Sequence, residues 1–136
     1  MSSGHRQLDH TADICLELWA DNEVELLLEG ARAIVEILMA GSDLPAEGSK
    51  ARDVRLDAID PDDRLVQWLN EIIVLATTEG FVFRSASLVL SGEGVLEGTI
   101  LGISGEVVAE LKSATYHELS LSIGPEEARA RVVIDV

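Results

Sequence analysis

The sequence predicts an α+β fold, a two-layer sandwich of two amphipathic helices on one face of a largely antiparallel sheet. Two stretches before residue 80 carry apolar residues at helical spacing. Most other apolar segments alternate with polar residues, and glycine-containing turns separate the segments after residue 80, as in antiparallel strands. A chain of 136 residues is expected to form one domain over 1–136.

The first half of the chain predicts a strand and then a helix. Residues 1–7 are polar and predict a flexible lead-in. The alternation from Ile14 to Trp19 predicts a strand with one face in the core. Asn22 is a candidate helix N-cap, and Gly41 a candidate stop. The apolar stripe between them consists of Val24, Leu27, Leu28, Ala31, Ile34, Val35 and Leu38.

The second helix carries the clearest signal in the chain. Alternation from Val54 to Ala58 predicts a strand before it, and Asp60, followed by proline and two further acids, predicts its start. Gly80 predicts its end. Its apolar stripe, which places Trp68 in the core, consists of Leu65, Trp68, Leu69, Ile72, Ile73 and Ala76. The β-rich segments that follow are Phe81–Phe83, Ser87–Leu90, Val95–Ile103, Val107–Tyr116, Leu119–Ile123 and Ala130–Ile134.

The composition argues against several classes of function. The formal net charge is −15, with only Lys50 and Lys112 as lysines, so direct nucleic-acid binding is not expected. An acidic surface instead fits hard cations or a basic protein partner. No apolar run reaches the roughly 18 residues of a membrane span, and no leader is visible, so we expect a cytoplasmic protein without membrane contact. Cys15, the single cysteine, permits no internal disulfide and is expected to be buried.

The candidate site joins the two ends of the sequence. Asp13 lies at the start of the first predicted strand, and Asp135 and Val136 lie at the end of the last. If these strands are antiparallel neighbours, the two aspartates and the Val136 α-carboxylate converge. Clustered carboxylate oxygens suit Ca²⁺ or Mg²⁺, and the nearby His10 would extend the choice to Zn²⁺ or Mn²⁺. The alternative is that Asp13 caps a turn and Asp135 is solvated.

Lys112 is a second candidate because it interrupts an apolar segment. It could pair with carboxylates, bind a phosphate or contact a partner, although an exposed strand lysine is the commoner case. His117 and Tyr116 follow it and could act in acid–base chemistry, with a surface histidine as the alternative.

Four motifs, in order and covering nearly the whole chain, resemble those of the archease family. They are Asp9-His10-Thr11-Ala12-Asp13, Leu65–Glu71, Lys112–His117 and Val132–Val136. The resemblance implies a non-enzymatic accessory protein of the tRNA-splicing RNA ligase RtcB, which promotes guanylylation and multiple turnover of that ligase. It also implies Asp13 and Asp135 as ligands of a divalent cation, Ca²⁺ in the first place with Mg²⁺ or Mn²⁺ as alternatives. Lys112 then matches the functional lysine of the family. His10 matches either a metal ligand or a residue that contacts the ligands.

The chain departs from the family pattern before Lys112. Archeases usually carry a longer, polar loop there, whereas only Val107–Leu111 separates Glu106 from Lys112, and Ser113 replaces the usual alanine. Two other classes of function remain open. A metal-dependent hydrolase of a small phosphate ester would use His10 or His117 as general base, and a chaperone or adaptor module would use exposed apolar surface.

Overall fold

The computed structural model describes residues 2–8, 13–44 and 48–136. It confirms an α+β fold with antiparallel strands and two helices. The elements are β1 (Gly4–Leu8), β2 (Ile14–Ala20), α1 (Glu23–Leu38), β3 (Lys50–Asp57), α2 (Pro61–Glu79), β4 (Phe81–Leu90), β5 (Val95–Ser104), β6 (Ser113–Ala114), β7 (Ser120–Ile123) and β8 (Ala128–Asp135).

The described strands form two sheets. The five-stranded sheet has the order β1-β2-β8-β6, with β7 also paired to β8, and the three-stranded sheet has the order β3-β5-β4. Every pairing is antiparallel. The last strand therefore lies beside the strand that follows residue 13, and this neighbourhood positions the candidate site.

The start of α1 and both ends of α2 lie at the residues that the sequence indicated, whereas α1 ends at Leu38 with Met39 as its C-cap, before the predicted stop at Gly41. The Asn22 side chain accepts a hydrogen bond from the Glu25 amide at 2.9 Å, and the Asp60 side chain accepts one from the Asp63 amide at 2.8 Å. These caps satisfy amides that have no partner inside the helix. Gly80 ends α2 in the left-handed conformation, with φ 64°. In the described part of the chain, no helix combines the length and apolar content needed to cross a membrane.

The core lies between the helices and the two sheets. α1 contacts β2 and β4, whereas α2 contacts β4 and β6, so the helices join the sheets. Trp68 is completely buried, as predicted, and its indole N–H donates to the Leu27 carbonyl at 2.6 Å. Its ring meets Phe83 edge to face, with 6.2 Å between centroids. One side chain thus links α2 to both α1 and β4.

The predicted flexible lead-in over residues 1–7 is wrong for most of its length. Gly4–Leu8 is β1, and it pairs with β2 in register from Gly4 opposite Trp19 onward. The His5 ring also bonds to Glu29 and Glu36 of α1. A polar segment is ordered here by long-range contacts that local hydropathy does not reveal.

The predicted strand over Val107–Tyr116 is also largely wrong. Within it only Ser113–Ala114 is strand. The amides of Val108 and Ala109 instead donate to the carbonyl of Leu38, at 2.7 and 3.0 Å, so this stretch closes the C-terminal end of α1. The predicted segments Phe81–Phe83 and Ser87–Leu90 are parts of one strand, β4, whose register shifts between Phe83 and Ser85.

Candidate functional site

The strand pairing brings the two predicted aspartates to neighbouring positions. In the β2–β8 ladder, Ile14 lies opposite Ile134. Asp13 directly precedes the first of these residues, and Asp135 directly follows the second. The expectation that the first predicted strand and the last are antiparallel neighbours is therefore confirmed. We refer to Asp13 and Asp135 together as the carboxylate edge.

The carboxylate edge carries negative charge that no described residue neutralises. Both aspartates are half-buried. Among residues 2–8, 13–44 and 48–136, neither side chain has an ion-pair or hydrogen-bond partner. Their oxygen donors fit a hard divalent ion such as Ca²⁺ or Mg²⁺.

The other predicted ligands are placed only in part. His10 lies outside the described residues, as does the rest of 9–12. Val136 follows Asp135 and is 48% exposed. Within the described ranges, no group of three or more His, Cys, Asp or Glu side chains is arranged to hold a metal ion.

Lys112 lies beside the carboxylate edge through its backbone. Its amide donates to the carbonyl of Asp135 at 2.9 Å, and its neighbour Ser113 pairs with Asp135 in register. The Lys112 side chain is exposed and makes no ion pair within the described part of the chain. Its ammonium is thus available to a phosphate or to a carboxylate of another molecule.

Asn70 of α2 is a structural residue that site reasoning from the sequence missed. Its side-chain amide donates to the Ala114 carbonyl at 3.3 Å, and its side-chain oxygen accepts from the Ala114 amide at 2.7 Å. Asn70 belongs to the same motif as Trp68, and that motif was identified in the sequence. No role was assigned to Asn70 there, because Asn70 and its partner Ala114 are distant in sequence.

Tyr116 makes a second contact between α2 and the segment that contains Lys112. Its hydroxyl donates to the Asp63 carboxylate, which also accepts from the Ile59 amide and from Gln67. The Tyr116 hydrogen bond is the largest of the effects that lower the pKa of Asp63, and the same bond raises the pKa of Tyr116. This pairing explains Tyr116 as an anchoring residue.

His117 and Cys15 differ sharply in exposure. The His117 side chain is 67% exposed, with its Nε2 3.7 Å from a Glu118 oxygen. Cys15 is buried, as expected, and burial is the largest cause of the raised pKa of its thiol. A raised pKa disfavours the reactive thiolate at neutral pH, which fits a packing role for Cys15.

Comparison with known proteins gives a consistent result over the whole described fold. The model of the Archease protein family (MTH1598/TM1083) matches residues 5–136. The chain is 31% identical to the archease of Archaeoglobus fulgidus, with 97% of this chain and 98% of that protein covered. It is 28% identical to the archease of Methanosarcina barkeri, with both chains fully covered.

Solved structures show the same fold. The solution structure of Methanobacterium thermoautotrophicum protein 1598 has a TM-score of 0.72 and 22% identity, with 98% of this chain and 99% of that chain covered. The crystal structure of an archease from Thermotoga maritima, named there as a possible chaperone, has a TM-score of 0.67 and 25% identity, with 96% of both chains covered.

Proposed function

The chain belongs to the archease family, and on this basis we propose that it is a non-enzymatic activator of an RtcB-type RNA ligase in the cytoplasm. In this role it promotes guanylylation of the ligase, so that the ligase turns over repeatedly. The single observation that carries the proposal is the pairing of β2 with β8. That pairing puts Asp13 and Asp135 side by side, with the backbone of Lys112 bonded to the second.

The carboxylate edge is the proposed divalent-cation site. Asp13, Asp135 and Val136 would hold the ion, with His10 as a ligand or as a residue behind the ligands. Among the described residues, the two half-buried aspartates have no counter-charge, which supports this assignment. Ca²⁺ is the first expectation, and Mg²⁺ or Mn²⁺ are the alternatives. A bound divalent ion supplies positive charge to phosphate oxygens.

Lys112 is the proposed contact to the ligase or to its nucleotide. Its ammonium carries a point charge on a flexible stem, which suits a phosphate or a ligase carboxylate. The backbone bond to Asp135 keeps the base of that stem beside the carboxylate edge. The net charge of −15 favours association with a basic, RNA-binding partner, because complementary fields steer the encounter of two proteins.

Guanylylation of the cognate ligase with GTP tests the proposal. The reaction is followed with and without substoichiometric amounts of wild type, Asp135→Asn and Asp57→Asn. Asp57→Asn is the matched control, because Asp57 also ends a strand but lies in the three-stranded sheet. Calorimetric titration of each variant with Ca²⁺ alone measures cation binding without the ligase.

We expect wild type and Asp57→Asn to stimulate the ligase and to bind Ca²⁺, and Asp135→Asn to do neither. Equal stimulation by Asp135→Asn would exclude the carboxylate edge from the mechanism. If wild type is folded, the ligase is active and no stimulation occurs, the activator role is wrong.

A chaperone function is the second candidate, supported by the name of the Thermotoga maritima relative. In the described ranges, four large apolar or aromatic side chains are more than half exposed, namely Ile59, Val89, Val108 and Tyr116. A chaperone that works through such surface should suppress aggregation of an unfolded test protein and should be indifferent to Asp135→Asn. Wild type and the same two variants therefore separate the two functions.

A further inference from the structure

The segment 112–117 lies between β8 and α2 and is bonded to both. On one side, the Lys112 amide donates to the Asp135 carbonyl at 2.9 Å, and the Thr115 amide donates to the Val133 carbonyl at 3.0 Å. On the other side, Asn70 and Asp63 of α2 hold Ala114 and Tyr116. The segment that contains Lys112 is thus positioned by two elements, β8 and α2, from separate parts of the chain.

The Asn70 contact replaces a missing strand. Ala114 is only 4% exposed and belongs to β6, a two-residue strand whose described pairing is with β8 alone. A buried peptide group needs a partner for both its N–H and its C=O. The side-chain amide of Asn70 supplies both partners, one donor and one acceptor, as the backbone of an adjacent strand would.

We propose that Asn70 is a positioning residue of the carboxylate edge: its amide fixes Ala114 and thereby holds Lys112 beside Asp135. This inference deepens the proposed function and rests on it. Ala114 lies two residues from Lys112, and β6 is too short to maintain its own register by ladder bonds alone. Without Asn70, the two buried polar groups of Ala114 have no protein partner among the described residues, so the segment shifts to expose them.

Three variants test this assignment. Asn70→Ala removes both bonds to Ala114. Asn70→Asp keeps the acceptor for the Ala114 amide and, when ionised, loses the donor to its carbonyl. Asn22→Ala is the matched control, because it removes a helix N-cap bond of comparable value at the opposite end of β2 and touches no residue of 112–117.

Amide hydrogen exchange of the protein alone is the first readout. For Asn70→Ala, we expect exchange at Lys112 and Thr115 to accelerate by about tenfold or more, relative to amides in α1. Asn70→Asp should give a smaller acceleration because one bond remains. In Asn22→Ala, the Lys112 and Thr115 amides should be as well protected from exchange, relative to the other strand amides, as they are in wild type.

The second readout is the stimulated rate of guanylylation. If Asn70 had only a structural role, its substitution would not change this rate while the protein stays folded. We expect the maximal stimulated rate to fall about tenfold for Asn70→Ala, because Lys112 is then displaced from its position beside Asp135, with the half-maximal activator concentration unchanged. Unchanged exchange at Lys112 overturns the inference, and so does faster exchange with full stimulation. If wild type itself does not stimulate, the proposed function fails, and the exchange data alone decide whether Asn70 fixes the segment.

Discussion

The bridge made by His5 leads to a specific prediction about pH. Both ring nitrogens bond to carboxylates of α1, Nδ1 to Glu29 and Nε2 to Glu36 at 2.8 Å. A neutral imidazole has only one N–H, so both bonds are donated only by the protonated ring. Arg32 is the other charged group on Glu29, with Nη1 3.1 Å from Oε1.

The pKa of His5 sets the range of pH over which the bridge acts. Burial alone would lower this pKa, but the hydrogen bonds and negative charges of Glu29 and Glu36 outweigh burial and hold it above 6.5. Because the pKa is raised in the folded state, the stabilisation is complete below about pH 6.5. It is lost as the pH rises through the folded-state value.

The magnitude follows from the exposure of each partner. Glu29 is buried, and a hydrogen bond to a charged group of this kind contributes about 2 kcal/mol. Glu36 is exposed, and its bond contributes up to about 1 kcal/mol. His5→Leu should therefore lower the free energy of unfolding by about 3 kcal/mol at pH 6, and by about 1 kcal/mol at pH 9, where one neutral bond remains.

Urea unfolding of wild type, His5→Leu and His117→Leu at both pH values measures this difference. His117→Leu is the control, because its ring is exposed and its Nε2 lies 3.7 Å from a Glu118 oxygen, beyond hydrogen-bond distance. This control substitution should lower the free energy of unfolding only slightly at either pH. If the loss in His5→Leu is the same at pH 6 and pH 9, the protonated bridge does not hold β1 on α1.

Two further predictions concern stability. Glu23→Ala leaves the buried guanidinium of Arg64 without its carboxylate and should lower the free energy of unfolding by about 3–5 kcal/mol. Adding Arg64→Met to that variant should recover part of this loss, as measured by urea unfolding. A further loss of stability in the double variant would contradict this explanation. Gly98→Ala directs a Cβ into the carbonyl of Ser87 on β4 and should lower the melting temperature, in calorimetry, by a shift equivalent to about 1–3 kcal/mol. Gly92→Ala is its control, because the space there is open, and an equal shift in both variants would refute the steric explanation.

The sequence predicted those elements whose signals are local. The caps at Asn22 and Asp60 and the stop at Gly80 each act within a few residues, so the start of α1 and both ends of α2 were predicted correctly. Asp13 and Asp135 were proposed as a pair because an acid flanks the first alternating segment and another ends the last. Their adjacency in register required only that the two strands be neighbours.

The misses share a physical cause, which is order imposed by distant residues. β1 is held by β2 and by two glutamates of α1, and nothing in the order Gly4–Leu8 indicates either partner. The Val107–Leu111 run resembles a strand, but the amides of Val108 and Ala109 both donate to the carbonyl of Leu38 at the end of α1. Asn70 was overlooked as a partner of Ala114 because its role is defined by that contact alone.

The position of β8 between β2 and β6 has a consequence for biosynthesis. Ile14 and Ile134 pair although they are about 120 residues apart in the chain, and contacts of such separation form late and slow folding. On the ribosome, β2 can pair with β1 early, but its other edge, which pairs with β8 in the described sheet, stays open to wrong partners until β8 emerges. The carboxylate edge takes one aspartate from each side of this delayed pairing. A nascent chain that lacks β8 therefore has no assembled carboxylate edge, so incomplete products should lack the activity proposed for that edge.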